Sequence, residues 1–158
     1  IARRLLSPMF LLATAMLPFS TAWAGPGCAT ATATVTVDWE DPGDRVVQGV
    51  VARVSFPAGV GFDVRTGPKG AVENLTGMSG ALFDATARDE DGDGTQDLLT
   101  IGMVGSRVPE GRFARVRFAC LGDSPPKSSD FTCVLEAATP MGDVDGTCRV
   151  ELDATPST

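Results

Sequence analysis

Histidine and tyrosine are absent from this 158-residue chain, and aromatic residues of all kinds make up only 6% of it. Without an imidazole there is no Ser-His-Asp or Cys-His relay. A glycosidase would need two carboxylates across a cleft at about 5–10 Å. The acidic residues cluster instead in turn sequences, where solvated charge is ordinary. The chain is therefore read as non-catalytic. The missing tyrosines also leave little from which to build a planar aromatic strip for stacking on sugars. Positive charge is scarce too: 13 Lys and Arg stand against 20 Asp and Glu, a net charge of −7. Such a surface repels nucleic acid and anionic lipid and suits cations or basic partners.

Long apolar runs are missing after the first residues, and none beyond residue 24 approaches the ~20 residues that span a bilayer. Residues 1–24 carry a different pattern. Arg3 and Arg4 form a short positive end, Leu5 to Phe19 is mostly apolar, and Ala22-Trp23-Ala24 gives a small-x-small site. Together these define a cleavable signal peptide, with the mature chain beginning at Gly25. A membrane anchor would need a longer run. A lipoprotein site at Cys28 is disfavoured by the preceding Gly25-Pro26-Gly27. The expected product is secreted, to the periplasm or beyond, as one domain over residues 25–154 with a short tail at 155–158. Losing Arg3 and Arg4 leaves 11 basic residues against 20 acidic ones, a net charge of −9.

All four cysteines, Cys28, Cys120, Cys133 and Cys148, lie in this mature part. An even count in an exported chain favours two disulfides. Zinc would need all four thiolates, because there is no histidine and no C-x-x-C pair. Of the three connectivities, the local pair Cys133–Cys148 is expected to close a hairpin, leaving Cys28 with Cys120.

Strand signals dominate the mature chain. Ala31, Ala33, Val35, Val37 and Trp39 alternate with Thr30, Thr32, Thr34, Thr36 and Asp38, the period-two pattern of a half-buried strand. Val50, Ala52, Val54 and Phe56 share a face, followed by Val60, Phe62 and Val64. Weak strand character at 71–75 precedes candidates at 81–87 and 97–104. From 112 to 120, Val116, Phe118 and Cys120 face in against Arg115, Arg117 and Ala119, while Phe113 falls outside the alternation. Phe131, Cys133 and Leu135, then Cys148, Val150 and Leu152, repeat the pattern. The 18 Gly and 11 Pro supply frequent turns. About nine short strands and no sustained helical period predict an all-β sandwich.

Two stretches carry a family likeness. Val47-Gln48-Gly49-Val50-Val51-Ala52-Arg53-Val54-Ser55-Phe56-Pro57 is one; Ile101-Gly102-Met103-Val104 followed by Val108-Pro109-Glu110-Gly111 through Cys120 is the other. In order and spacing the chain resembles cohesin-like modules over residues 30–153. The resemblance implies a jelly-roll β-sandwich of about nine strands and a non-catalytic role in protein–protein interaction, with a dockerin-like module as partner. No dockerin-contacting position carries over to this sequence. A carbohydrate-binding module on the same architecture, with polysaccharide as ligand, is the alternative, and a structural surface or periplasmic protein is a third.

The sharpest chemical motif is Asp89-Glu90-Asp91-Gly92-Asp93-Gly94-Thr95-Gln96-Asp97. Asp89, Asp91 and Asp93 sit at positions one, three and five of a D-x-D-x-D-G loop, Thr95 offers its carbonyl, and Asp97 stands at position nine. That is the oxygen-donor spacing of a Ca²⁺ loop. Position twelve is Thr100 rather than a bidentate Glu, so the motif is not an EF-hand. A solvated acidic hairpin turn is the competing reading. Asp143-Val144-Asp145-Gly146 is a poorer version, read as a turn. Asn74-Leu75-Thr76 is a glycosylation sequon, and Trp39 is expected at the core or its rim. Peptide mapping without reductant should recover Cys133 joined to Cys148; a peptide joining Cys28 to either of them would overturn the pairing.

Overall fold

The computed structural model describes residues 28–40 and 42–153. The signal peptide at 1–24, its cleavage point and the tail at 155–158 lie outside the described residues. Within them the alternating segments form ten strands: β1 (Thr30–Trp39), β2 (Gly49–Ser55), β3 (Val60–Gly61), β4 (Val72–Asn74), β5 (Leu82–Arg88), β6 (Leu98–Val104), β7 (Gly111–Cys120), β8 (Thr132–Thr139), β9 (Gly142–Val144) and β10 (Gly146–Leu152). They make two antiparallel five-stranded sheets. One runs β10-β1-β7, with β3 and β4 sharing the far edge of β7; the other runs β5-β6-β2-β8-β9. The chain is thus an all-β sandwich. No helix among the described residues is long and apolar enough to cross a membrane.

The inner faces of the two sheets make the core. Ala33, Val35 and Val37 of β1 meet Val50, Ala52 and Val54 of β2 and Leu99, Ile101 and Met103 of β6, all with essentially no exposure. Each larger side chain buried this way contributes about 1.5–3 kcal/mol. Phe118 of β7 binds one end together, with ring centroids 5.3 Å from Phe56 and Phe62 and 5.4 Å from Phe131.

The break in alternation at Phe113 has a structural cause. β1 and β7 slip register between Val35, opposite Ala114, and Thr36, opposite Arg112. Phe113 is the extra residue of a β-bulge, so Phe113 and Ala114 both turn into the core. Phe113 then packs near Phe83 of β5, on the opposite sheet, at 6.2 Å between centroids.

Two elements differ from the sequence reading. A five-residue helix, α1 (Gly67–Ala71), fills a Gly-rich stretch for which no element was expected, and the weak strand expected at 71–75 follows it as β4. The helix has no buried residue, so no apolar periodicity announced it. The Asp143–Gly146 segment is not all turn: Gly142–Val144 pairs with β8 as β9.

The cysteines form two disulfides. Cys28–Cys120 joins the chain just before β1 to the end of β7, and Cys133–Cys148 joins β8 to β10, tying one sheet to the other at an edge. At that corner a Cβ on Gly146 would lie 2.7 Å from Leu135 Cδ2 and 2.9 Å from the Asp38 carbonyl, so only glycine fits without a shift. The Cys28–Cys120 bond closes a far longer stretch, 92 residues against 15. On chain-entropy grounds alone, converting both partners to alanine should cost about 4–5 kcal/mol for Cys28–Cys120 and about 3 kcal/mol for Cys133–Cys148. Urea denaturation of the two double variants measures this, and equal losses would contradict the loop-entropy account.

Candidate functional site

Two places bring functional groups together. The first is the β5–β6 connection. Arg88 opposite Leu98 closes the hairpin, and the Asp97 N–H donates to the Arg88 carbonyl at 3.1 Å. The Asp97 carbonyl accepts from Phe56 N–H at 2.9 Å, so the loop's exit is pinned to the sandwich. Gly92 and Gly94 take positive φ, at 80° and 92°, a conformation that glycine adopts without penalty. These turns fold the backbone N–H groups onto the carboxylates. Asp89 accepts from Gly92 and Gly94 at 2.6 and 2.7 Å, Asp91 from Asp93 at 3.1 Å, and Asp97 from Glu90 at 2.8 Å.

Carboxylate oxygens of Asp89, Asp91 and Asp97 lie within 4.8 Å of one another. Asp93 is not in this group; its side chain accepts from Thr95 N–H at 2.7 Å. Thr95 takes part in the loop as that donor. The Gly94 N–H, followed by that of Gly92, holds the Asp89 carboxyl below the usual carboxylate range. Asp91 behaves oppositely. The Asp93 N–H pulls it down, but desolvation and the charges of Asp93 and Asp97 outweigh that bond and hold it above its ordinary value. Three converging carboxylates, one of them raised by its neighbours' charge, are a donor set that fits a hard, oxygen-preferring cation such as Ca²⁺.

The second place was not read from the sequence. On the outer face of the β5-β6-β2-β8-β9 sheet, register lines up Leu82, Val104, Gly49, Ala138 and Asp143 in one row across all five strands. The next row is Asp84, Gly102, Val51 and Glu136. Gly49, Gly102 and Ala138 leave the middle low, and a groove of about 890 Å³ results. Its apolar side stands in solvent, Leu82 at 77% exposure and Val104 at 58%. Lys69 of α1 pairs with Asp84 at 2.9 Å and lowers that carboxyl's pKa. Arg53 pairs with Glu136. At the other end Asp143 and Asp145 have no ion pair among the described residues. The available signals were glycines inside strand sequences and apolar residues at outward positions, such as Leu82 and Val104.

Comparison with family models, with curated proteins and with solved structures finds no match for this chain.

Millimolar Ca²⁺ should raise the melting temperature of the protein near neutral pH, with a dissociation constant on the order of 10⁻⁴–10⁻³ M by titration calorimetry. Asp89→Asn should abolish both effects. Because Asp91 holds its proton to a higher pH than an ordinary aspartate, acid should displace the cation early as pH falls through the carboxylate range. No heat and no thermal shift would rule the site out.

Proposed function

We propose that this chain is an exported, non-catalytic binding module of cohesin-like type that takes a protein partner on the outer face of the β5-β6-β2-β8-β9 sheet. The observation that carries this reading is the groove there: a floor of small residues, an exposed apolar side and a partly neutralised charged rim. A well-packed sheet face with Gly49, Gly102 and Ala138 at adjoining positions lets another backbone come close. Two disulfides suit an oxidising compartment, in keeping with export.

Calcium belongs to the same reading as a stabiliser of the Asp89–Asp97 loop. Extracellular calcium is abundant enough to fill weak sites. Leu98 of β6 pairs with Ser55 of β2, so ordering this loop supports the strand that carries Gly102.

A protein ligand is preferred to polysaccharide on one specific point. Trp39 packs against the core rather than presenting a free ring to solvent. Immobilised protein should therefore retain a dockerin-type module and leave insoluble polysaccharide uncoated. Ala138→Arg, which fills the groove from β8, should weaken retention by about tenfold or more. Adsorption to polysaccharide with no retention of the protein module would favour the carbohydrate-binding alternative.

A further inference from the structure

The two outer faces of the sandwich treat charge differently. On the β10-β1-β7 sheet, Arg115 pairs with Glu73 and Asp153, and Arg149 with Asp38 and Glu151. Arg112 and Arg117 of β7 stand exposed beside these pairs, so that face carries four arginines against four carboxylates. On the groove face, Lys69 and Arg53 pair with Asp84 and Glu136, while Asp143 and Asp145 at one end have no ion pair among the described residues. The unbalanced charge beside the apolar floor is negative, and the mature chain as a whole carries −9. A second copy of the chain would bring like charge to like, which opposes self-association through this face.

The floor adds an independent point. Gly102 lies inside β6, where glycine weakens a strand. Neither Gly102 nor Gly49 has positive φ, so the backbone does not require glycine at either position. A Cβ on Gly102 would meet nothing within 4 Å, and one on Gly49 only the Ala138 Cβ at an ordinary 3.8 Å. Packing does not require glycine there either. What both glycines do is keep the floor low in front of Val51 and Val104. A side chain from outside can then rest on apolar surface while its neighbour reaches the acidic end.

Resting on the reading of the groove as the binding face, we propose that its occupant is a cationic polypeptide segment of another protein. An apolar side chain of that segment packs over Gly102, Val51 and Val104, and an adjacent lysine or arginine meets Asp143 and Asp145. Burial against the floor supplies affinity, and the carboxylates supply orientation and encounter rate.

Three synthetic peptides sharing the same apolar residues test this, with lysine, glutamine or glutamate at all other positions, followed by fluorescence anisotropy on the whole mature protein. The lysine peptide should bind about tenfold or more tightly than the glutamate peptide, with affinity falling as salt screens the contact. Gly102→Val should weaken it about tenfold, and the Asp143→Asn, Asp145→Asn pair should weaken it and flatten the salt dependence. Arg117→Gln on the opposite face should change nothing. An unchanged circular dichroism melt shows that Gly102→Val is folded, and the Asp143/Asp145 pair tests the proposal without touching the floor. If the glutamine or glutamate peptide binds as well as the lysine one and remains sensitive to Gly102→Val, the cationic assignment falls while the groove stands. If no peptide is sensitive to Gly102→Val, the groove reading falls with it. Self-association abolished by Gly102→Val would assign the face to a second copy and overturn the proposal.

Discussion

Every long strand of this sandwich buries one face against the opposite sheet, and β1 is where that constraint acts hardest. It pairs with β7 on one side and β10 on the other, and its inward Ala33, Val35 and Val37 have no exposure at all. A slip of one residue would turn this whole row outward and bring Thr34 and Thr36 into the core. The bulge at Phe113 is compatible with this register because it adds a residue to β7 without moving β1. Once β1 is set, β7 and β10 follow, and the second sheet has only one inner surface on which to dock.

This constraint also explains which parts were legible in the sequence. Alternation located β1, β2, β7, β8 and β10 because each has one apolar face, and β6 was visible as a strongly apolar run. Phe113 was visible as an exception, and the bulge is the reason for it. The helix Gly67–Ala71 was not legible: it buries nothing, and its Gly and Pro content reads as loop. β9 was hidden for a related reason. Asp143-Val144-Asp145-Gly146 has turn chemistry, and only the pairing of Gly142–Val144 with the end of β8 makes a strand of its first half.

The two candidate sites divide in the same way. Asp89, Asp91 and Asp97 lie in one short segment, so spacing alone brought them under suspicion, although Asp93 turns to cap Thr95 instead of joining them. The groove is assembled from Gly49, Gly102, Ala138 and Asp143, which belong to four strands spread over most of the domain. Alternation says which side of a strand a residue occupies; it does not say which strands are neighbours. That order, β5-β6-β2-β8-β9, is what turns scattered small residues into a floor.

The two disulfides have a further consequence when the molecule is pulled by its ends. Cys28–Cys120 closes off everything from β1 to β7, and Cys133–Cys148 closes off β9 together with most of β8. Tension entering at the N-terminal side crosses to Cys120, runs along the chain to Cys133 and leaves through Cys148. The shortest covalent route therefore bypasses all of the sandwich but the part of β10 that follows Cys148. Only the stretch from Cys120 to Cys133 can pay out between the two crosslinks, roughly 45 Å at full extension. Both the groove and the acidic loop lie off the force-bearing line for the most part, so a module tethered at both ends could carry load as a link of bounded length while keeping both sites folded.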